Sequence, residues 1–483
     1  MKNKIIILLI LLFVVGFLIR TFPIRTSFHY WDETVYLQHA EIIIGNIPEE
    51  NFNEFHLRPP LIPILFALGY MLYHSVITSH MIVSLIASLG IIAVFLLARA
   101  MFKDERLAIL ASFIYTLNPL HIWLAHDLLV DAMLPTFLTF TILSAYIATK
   151  TENNRYYIIS GLFLGLSILL KFTSLSFFPL ILIILFLFSR HKTRNRYSFE
   201  YLLYILKSKN LWILLASCLI VLIPYFIYVQ LKFGFFLQTF VNGYMIVNSD
   251  TPTDPYLFFT HFFEIFPPIF LFGILLLTIP FIKRGIPSEE LMLITLVLIS
   301  FLLLQTLVHK EMRFLLLILP FLSILSARGF FSIHSFIKNK NNKILITTVM
   351  CVAIVFSSYL MIEDIWQIKS IVSMDLFIDD WEPSVMKAAL WIKNNTPSDT
   401  IIYNNYQYPP IAYYSERKVL LLPFNDVHGN IDKIMQQPGY VVVSSMAPPD
   451  REPNAEFLLN DNRFVLLETF VDQDETIYIF GYK

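Results

Sequence analysis

The chain has 483 residues, of which 57% are hydrophobic and only 15% charged, and its mean hydropathy is +0.65. A soluble globular protein carries about 25% charged residues, so this deficit and the repeated apolar runs exclude an ordinary soluble domain and select a multi-span membrane protein. The net charge of −1 offers no basic face to a nucleic acid, and Cys218 and Cys351, both inside apolar runs, offer neither a disulfide framework nor a cysteine metal site.

In chain order, residues 4–19 follow Lys2 and Lys4 as a signal peptide would, but "IRTFPIRTS" comes next with no small-residue cleavage site, which predicts an uncleaved first span. Residues 29–41, "HYWDETVYLQHAE", are polar and acidic. An adjacent Asp32–Glu33 pair set among Tyr30, Trp31, Tyr36 and His39 is costly beside a bilayer unless it is used. Residues 60–75, "PLIPILFALGYMLYHS", are apolar but short and opened by prolines. Further apolar segments follow near 81–98, 107–122, 132–149, 157–170, 172–189, 211–229, 261–282, 291–307, 314–330 and 344–362, which with 4–19 predicts about eleven spans.

Charge decides how residues 60–75 lie. If that segment is an interfacial helix, the N-terminus and the alternate loops, including "RHKTRNR" at 190–196, hold 19 of the 35 Lys and Arg; the opposite loops hold 7 and the C-terminal region 9. That asymmetry puts the basic loops in the cytoplasm and the C-terminal region outside. Making 60–75 a span would invert every later loop and destroy it. Residues 157–170 are short for a crossing and Lys171 sits at the expected turn, which leaves a thin hairpin or a re-entrant segment over 157–189.

From Glu363 onward the chain turns polar. "PSVMKAALWIKNN" has helical spacing, whereas "DTIIYNN", "KVLLLPF", "YVVVSSM", "FVLLETFV" and "TIYIFGY" read as strands, enough for one small α/β domain over 363–483. The expected division is therefore a membrane domain over 1–362, with its first outer loop at 20–80, and an extracytoplasmic domain over 363–483.

With this topology the ionisable residues gather on the outer face. The first outer loop holds Asp32, Glu33, His39, Glu41, Glu54, His56 and Arg58, and the second, "HIWLAHDLLVDAM", holds His121, His126, Asp127 and Asp131. Lys171 follows, then Asp250 and Asp254, then His309, Lys310, Glu311 and Arg313 in "VHKEMRF". A carboxylate there can take a proton from an attacking hydroxyl, and a cationic cluster can stabilise charge on a departing phosphate. That set fits glycosyl transfer from a lipid-linked phosphosugar. Plainer readings stand beside it: a helix start at Asp32–Glu33, an N-cap at Asp131, a turn residue at Lys171, snorkelling cations in "HKEMRF". The histidines at 39, 56, 121, 126 and 309 leave a divalent metal ion open, although no spacing among them is diagnostic.

"YWDETVYLQHAE", "RPPLIPIL", "HDLLVDAMLPTF", "GLFLGLSILLKFTSL" and "HKEMRFLLLILPFL" resemble the membrane-embedded GT-C glycosyltransferases, closest to the protein O-mannosyltransferases and the aminoarabinose transferases, over roughly residues 4–330. "HKEMRF" also resembles a signature of dolichyl-phosphate-mannose-dependent mannosyltransferases. The resemblance implies a polyprenyl- or dolichyl-phosphate sugar donor and inversion at the anomeric carbon. Asp32 then matches the catalytic base and Glu33 the neighbour that orients it or meets the acceptor. Asp131 matches a cavity acid, joined by Asp127 and Glu311; Lys310 and Arg313 match cations near the lipid phosphate, joined by His309, Lys171 and Arg58. Arg58 stands in "RPPL" where the O-mannosyltransferases commonly have His. The acceptor is a lipid-linked glycan, a lipid or a protein. A transporter or flippase of lipid-linked sugars is the alternative, and a ligand-binding scaffold a third reading.

Overall fold

The computed structural model describes residues 2–25, 28, 31–48, 58–188, 205–249, 253–262, 266–278, 281–282, 285–336, 340–363, 377–378, 384–406, 408–422, 427–436, 439–447, 451–472 and 475–482. Glu54, His56, Asp250 and the run at 190–196 lie outside them. The chain divides into two compact units: Met1–Pro23 with Leu57–Leu61 and Ser79–Leu376, and Ile24–His56 with Ile62–Thr78 and Phe377–Lys483. The expected boundary at 362/363 is thus not the one the contacts draw, because most of the first outer loop packs with the C-terminal residues.

In the first unit, six described helices are long and apolar enough to cross a membrane: Asn3–Thr21, Val76–Phe102, Val130–Thr151, Lys209–Phe233, Ser288–Gln305 and Met312–Ser332. A bent pair, Glu105–Thr116 and Pro119–His126, makes a seventh if it counts as one span. Among the described residues this does not reach eleven, and the shortfall has local causes. The run expected over 107–122 bends by 54° where Asn118 stops one helix and caps the next, accepting the His121 N–H. Within the run expected over 261–282 the described helix is Pro268–Leu275, which can only begin at that point because Pro267 and Pro268 offer no N–H to continue a preceding helix. Residues 60–75 form a helix of 12 residues, Leu61–Leu72. At ~1.5 Å per residue that is ~18 Å, too short for a ~30 Å hydrocarbon core.

Lys171 separates the helix Asn154–Leu170 from a 3₁₀ turn, Phe172–Phe177, that leads into the helix Phe178–Phe188. The Asn154–Leu170 helix carries Gly161 and Gly165 one turn apart, and that face lies on the Lys209–Phe233 helix. A Cβ on Gly165 would meet the Cys218 carbonyl at 2.9 Å and Val221 Cβ at 2.8 Å, and one on Gly161 would collide with the Leu214 carbonyl. Small residues spaced by four let two membrane helices approach backbone to backbone.

Charge pairs sort to the two ends of this bundle. Lys150, at the C-terminal end of Val130–Thr151, meets Glu289 at 3.2 Å in the first turn of Ser288–Gln305, and Arg328 meets Glu290 at 2.8 Å. Asp131 opens the Val130–Thr151 helix, so by rise it lies ~30 Å from Lys150. Lys171 ends the antiparallel neighbour at the Asp131 end, and the 307–313 connection follows Gln305 there. One end of the bundle therefore gathers Lys150, Glu289, Glu290 and Arg328, and the other Asp131, Lys171, Glu311 and Arg313.

The second unit contains two sheets. A two-residue parallel pair joins β1, Ile24–Arg25, to β2, Phe377–Ile378. The larger sheet is formed by β3 (Ile401–Asn404), β4 (Lys418–Leu421), β5 (Gly439–Ser444), β6 (Phe464–Val471) and β7 (Thr476–Tyr482), in the order β4-β3-β5-β7-β6. All five strands fall where the alternating apolar runs put them, and the helix Ser384–Asn395 where its spacing does. β3 is parallel to β4 and to β5, so the chain must cross over between them. The helices Tyr408–Ser415 and Val427–Ile434 make those crossovers. β7 then runs antiparallel to β5 and β6. Ile431 and Ile434 pack on Val441, Val443 and Phe480 to form the core of this unit.

Replacing Gly165 with Leu should lower stability by about 1–3 kcal/mol, by driving a branched side chain into the Cys218–Val221 backbone. An unchanged melting temperature of the variant in detergent would show that this helix contact is not close-packed.

Candidate active site

Three separated loops of the first unit converge on one buried carboxylate. Asp131 lies in the first turn of Val130–Thr151, where the helix dipole favours an anion. The N-cap position belongs to Leu129, which caps with no side chain. Asp131 is therefore more than a helix cap: it is only 3% exposed, and its Oδ1 accepts from Lys171 Nζ at 2.8 Å. Lys171 can reach it because residue 171 is extended, with φ −151° and ψ 122°, between two helical segments. The Phe314 ring lies under the ammonium at 4.3 Å and lends a π face to the same cation.

The "HKEMRF" segment supplies the rest. Glu311 is extended and precedes the 3₁₀ helix Met312–Ile318, and Arg313 Nη2 donates to its Oε1 at 2.7 Å. Arg313 Nε stands 3.9 Å from Asp131 Oδ2, and His309 Nε2 stands 3.4 Å from Glu311 Oε1. Asp131, Lys171, Glu311, Arg313 and His309 thus form one linked group of acids and bases. Lys310 points elsewhere: its ammonium donates to the Leu307 carbonyl at 2.6 Å, while its backbone N–H donates to Thr253 Oγ1 at 2.7 Å. Asp127 is fully buried and ends the Pro119–His126 helix, Arg58 is half-buried ahead of Leu61, and Asp254 closes its own turn by accepting from the Tyr256 N–H.

Behind Asp131 lies a network that the residue pattern did not disclose. Arg20 is completely buried at the end of the first helix, and its Nη2 lies 2.9 Å from His121 Nδ1. Other guanidinium N–H groups go to the carbonyls of Gly16 and Thr116. Because Nδ1 faces a donor that cannot be deprotonated, it accepts, and the proton sits on Nε2, which lies 2.8 Å from the Ala132 carbonyl. His121 therefore joins Arg20 to the backbone next to Asp131, a structural use of a residue that the sequence left open as a metal ligand. An arginine at a span end was a legible signal, but its partner 101 positions away was not.

The acids of the first outer loop belong to the second unit. In the helix Trp31–Ile43, Asp32, Tyr36 and His39 share one face by their spacing, and Gln38 and Glu41 share another. Glu33 is fully buried, and Asp32 only 9% exposed. The helix packs on Tyr408–Ser415, where Gln38 Nε2 donates to the Pro409 carbonyl at 2.8 Å. Tyr414 accepts from the Phe28 N–H at 2.9 Å. Burial raises the pKa of its phenol above the usual tyrosine range, the Phe28 bond opposes this, and the nearby Glu33 charge reinforces it, so the hydroxyl stays protonated at neutral pH. Among the described residues, no three His, Cys, Asp or Glu side chains are gathered to hold a metal ion.

Removing one partner of a buried ion pair leaves an uncompensated charge that costs about 3–5 kcal/mol. Lys171→Met should therefore destabilise the protein more than the double change Asp131→Asn with Lys171→Met. Thermal unfolding of the four proteins in detergent reads the coupling, and strictly additive effects would show that the two residues do not act as a pair.

Residues 57–228 match the family described as Dolichyl-phosphate-mannose-protein mannosyltransferase. No curated protein matches the sequence. The fold is similar to the crystal structure of ArnT from Cupriavidus metallidurans bound to undecaprenyl phosphate, with a TM-score of 0.69 at 13% identity over 99% of this chain and 97% of that one. The apo form of the same protein gives 0.65 at 12% identity, over 99% and 98%. Arabinofuranosyltransferase AftD from Mycobacteria gives 0.57 at 13% identity, covering 98% of this chain and 41% of that longer one. The chain thus has the fold of these membrane glycosyltransferases, and its residues 57–228 carry the match to the mannosyltransferase family.

Proposed function

We propose that the protein is an inverting glycosyltransferase that moves a sugar from a polyprenyl-phosphate donor to an acceptor hydroxyl on the outer face of a prokaryotic cell membrane. The observation that carries this reading is the group formed by Asp131, Lys171, Glu311 and Arg313, in which loops far apart in sequence hold cations around a buried acid at one end of the helical bundle. A similar fold is known with undecaprenyl phosphate bound, which supports the polyprenyl class of donor. The excess of Lys and Arg, 19 of 35, in the loops on the side of the N-terminus supports a cytoplasmic N-terminus and a C-terminal region outside.

In this reading Asp32 takes the proton of the acceptor hydroxyl as its oxygen bonds to C1 of the sugar, and Glu33 orients the base or meets the acceptor. The bond from C1 to the phosphate oxygen breaks, and its electron pair stays on the lipid phosphate. Lys171, Arg313 and, once released from the Leu307 carbonyl, Lys310 stabilise that charge, with His309 and Arg58 beside them, while Asp131 and Glu311 hold Lys171 and Arg313 in place and Asp127 lines the cavity. A phosphate leaving group needs no general acid, so one carboxylate base and the cations complete the set. The sugar is mannose or another hexose or pentose, and the acceptor is a lipid-linked glycan, a lipid or a protein.

A general base contributes about 10²–10⁴ in rate. Asp32→Asn should therefore lower transfer at least about a hundredfold while leaving donor binding and melting temperature near wild type. Incubating purified protein with a panel of polyprenyl-phosphate sugars and following release of the lipid phosphate tests the whole reading. Release from no donor in the panel refutes it, and full activity of the Asn variant refutes the role of Asp32.

A further inference from the structure

The second unit contains a cavity of about 640 Å³ that the transfer reaction above does not use. It opens on the Gln38–Glu41 face of the Trp31–Ile43 helix, turned by spacing away from the face that carries Asp32. Its walls combine aromatic rings with paired polar groups. Phe28 meets Tyr413 edge-on at 5.8 Å and stacks near Tyr414 at 6.2 Å. Glu41 holds His74 at 2.9 Å and Asn46 at 2.8 Å, and Lys393 Nζ meets Glu416 Oε1 at 2.6 Å.

Charge narrows what can enter. Both acids already have partners, so they present no bare anion to a cationic ligand. Arg417, the remaining cation, spends its guanidinium on the Lys393, Thr396 and Ser415 carbonyls and offers no free fork to a phosphate. What remains is a wall of hydroxyl-sized donors and acceptors beside ring faces. The Gln38 side chain, 2% exposed, gives its amide N–H to Pro409 while its Oε1 has no partner. Glu416 holds φ at +54°, directly after the helix Tyr408–Ser415, where glycine is usual. That backbone strain persists while its carboxylate meets Lys393 at the cavity wall.

We propose that this cavity is a saccharide-binding subsite, taking an uncharged sugar of one to three rings whose C–H face lies on the Tyr413 ring and whose hydroxyls meet Glu41, Asn46 and Lys393. Its assignment to the glycan part of the acceptor rests on the glycosyltransferase reading; saccharide binding itself does not. The volume falls within the ~300–1,000 Å³ common for small-ligand sites. Tyr413 keeps its proton, since burial and the neighbouring Tyr70, Tyr414, Glu41 and Glu416 raise its pKa well above the usual range, so its hydroxyl remains a donor.

The test uses the full chain in detergent, with no lipid donor present. Saturation-transfer NMR and calorimetry would follow methyl α-mannoside, N-acetylglucosamine, a mannobiose and a galactobiose, with inorganic phosphate and choline as charged probes. At least one saccharide should bind saturably, and Lys393→Ala or Val76→Trp, both changes at the cavity wall, should weaken it about tenfold. Asp32→Asn should bind it as wild type does. Binding of none of the saccharides, binding of phosphate or choline in preference, or saccharide binding unchanged by both wall substitutions overturns the proposal. Saccharide binding in a protein that releases no lipid phosphate would defeat the transferase reading and leave the subsite standing.

Discussion

A carboxylate 3% exposed in the helical part of a membrane protein has to be neutralised, and the first unit is organised around doing so for Asp131. Water cannot reach it, and an isolated ion in such surroundings is held at a cost of several kcal/mol. Lys171 meets one oxygen at 2.8 Å, and the Arg313 guanidinium stands near the other. Those cations come from positions 40 and more than 180 residues further along the chain, so their meeting constrains at least three loops together. Each loop has the backbone break this needs: an extended Lys171 between helices, an extended Glu311 before a 3₁₀ turn, and a Leu128 at φ +48° just ahead of the Val130–Thr151 helix.

The same economy of charge runs through the rest of this unit. Acids in the first turn of Ser288–Gln305 meet bases near the last turns of Val130–Thr151 and Met312–Ser332, which complements the helix dipoles at that end. Between the two ends the helices close on one another through small residues, with Gly161 and Gly165 against the Lys209–Phe233 helix and Gly273 against Gly329. Arg20 is the exception that shows the rule: buried without an acid among its described partners, it is held by backbone carbonyls and by the acceptor nitrogen of His121. That nitrogen can accept only because the other one gives its proton to Ala132. A fixed tautomer thereby ties the first helix to the turn that carries Asp131.

The second unit solves a different problem. Its parallel strands β3, β4 and β5 need crossover helices, and one of these, Tyr408–Ser415, offers its outer face to the Trp31–Ile43 helix. The acid-bearing helix is thus seated on a soluble-type scaffold by a Gln38 side chain, a Phe28 backbone amide and a cluster of rings. Rigid support of this kind is what the general base proposed at Asp32 would require, since its efficiency depends on geometry before acidity.

Residue types alone determined a good deal. Hydropathy and the sparse charge made a membrane protein, short apolar runs marked all five strands of the larger sheet, and the acids and cations between the spans could be singled out as candidates because ionisable groups beside spans are rare without a use. Tertiary structure decided what periodicity cannot carry. Prolines and caps cut apolar runs that had looked continuous, the first outer loop joined the C-terminal residues, and Lys310 turned to a carbonyl while Lys171 took the carboxylate. Composition reports how greasy a segment is; which cation reaches a buried acid depends on backbone breaks and on contacts between positions a hundred or more residues apart, and no local pattern records those.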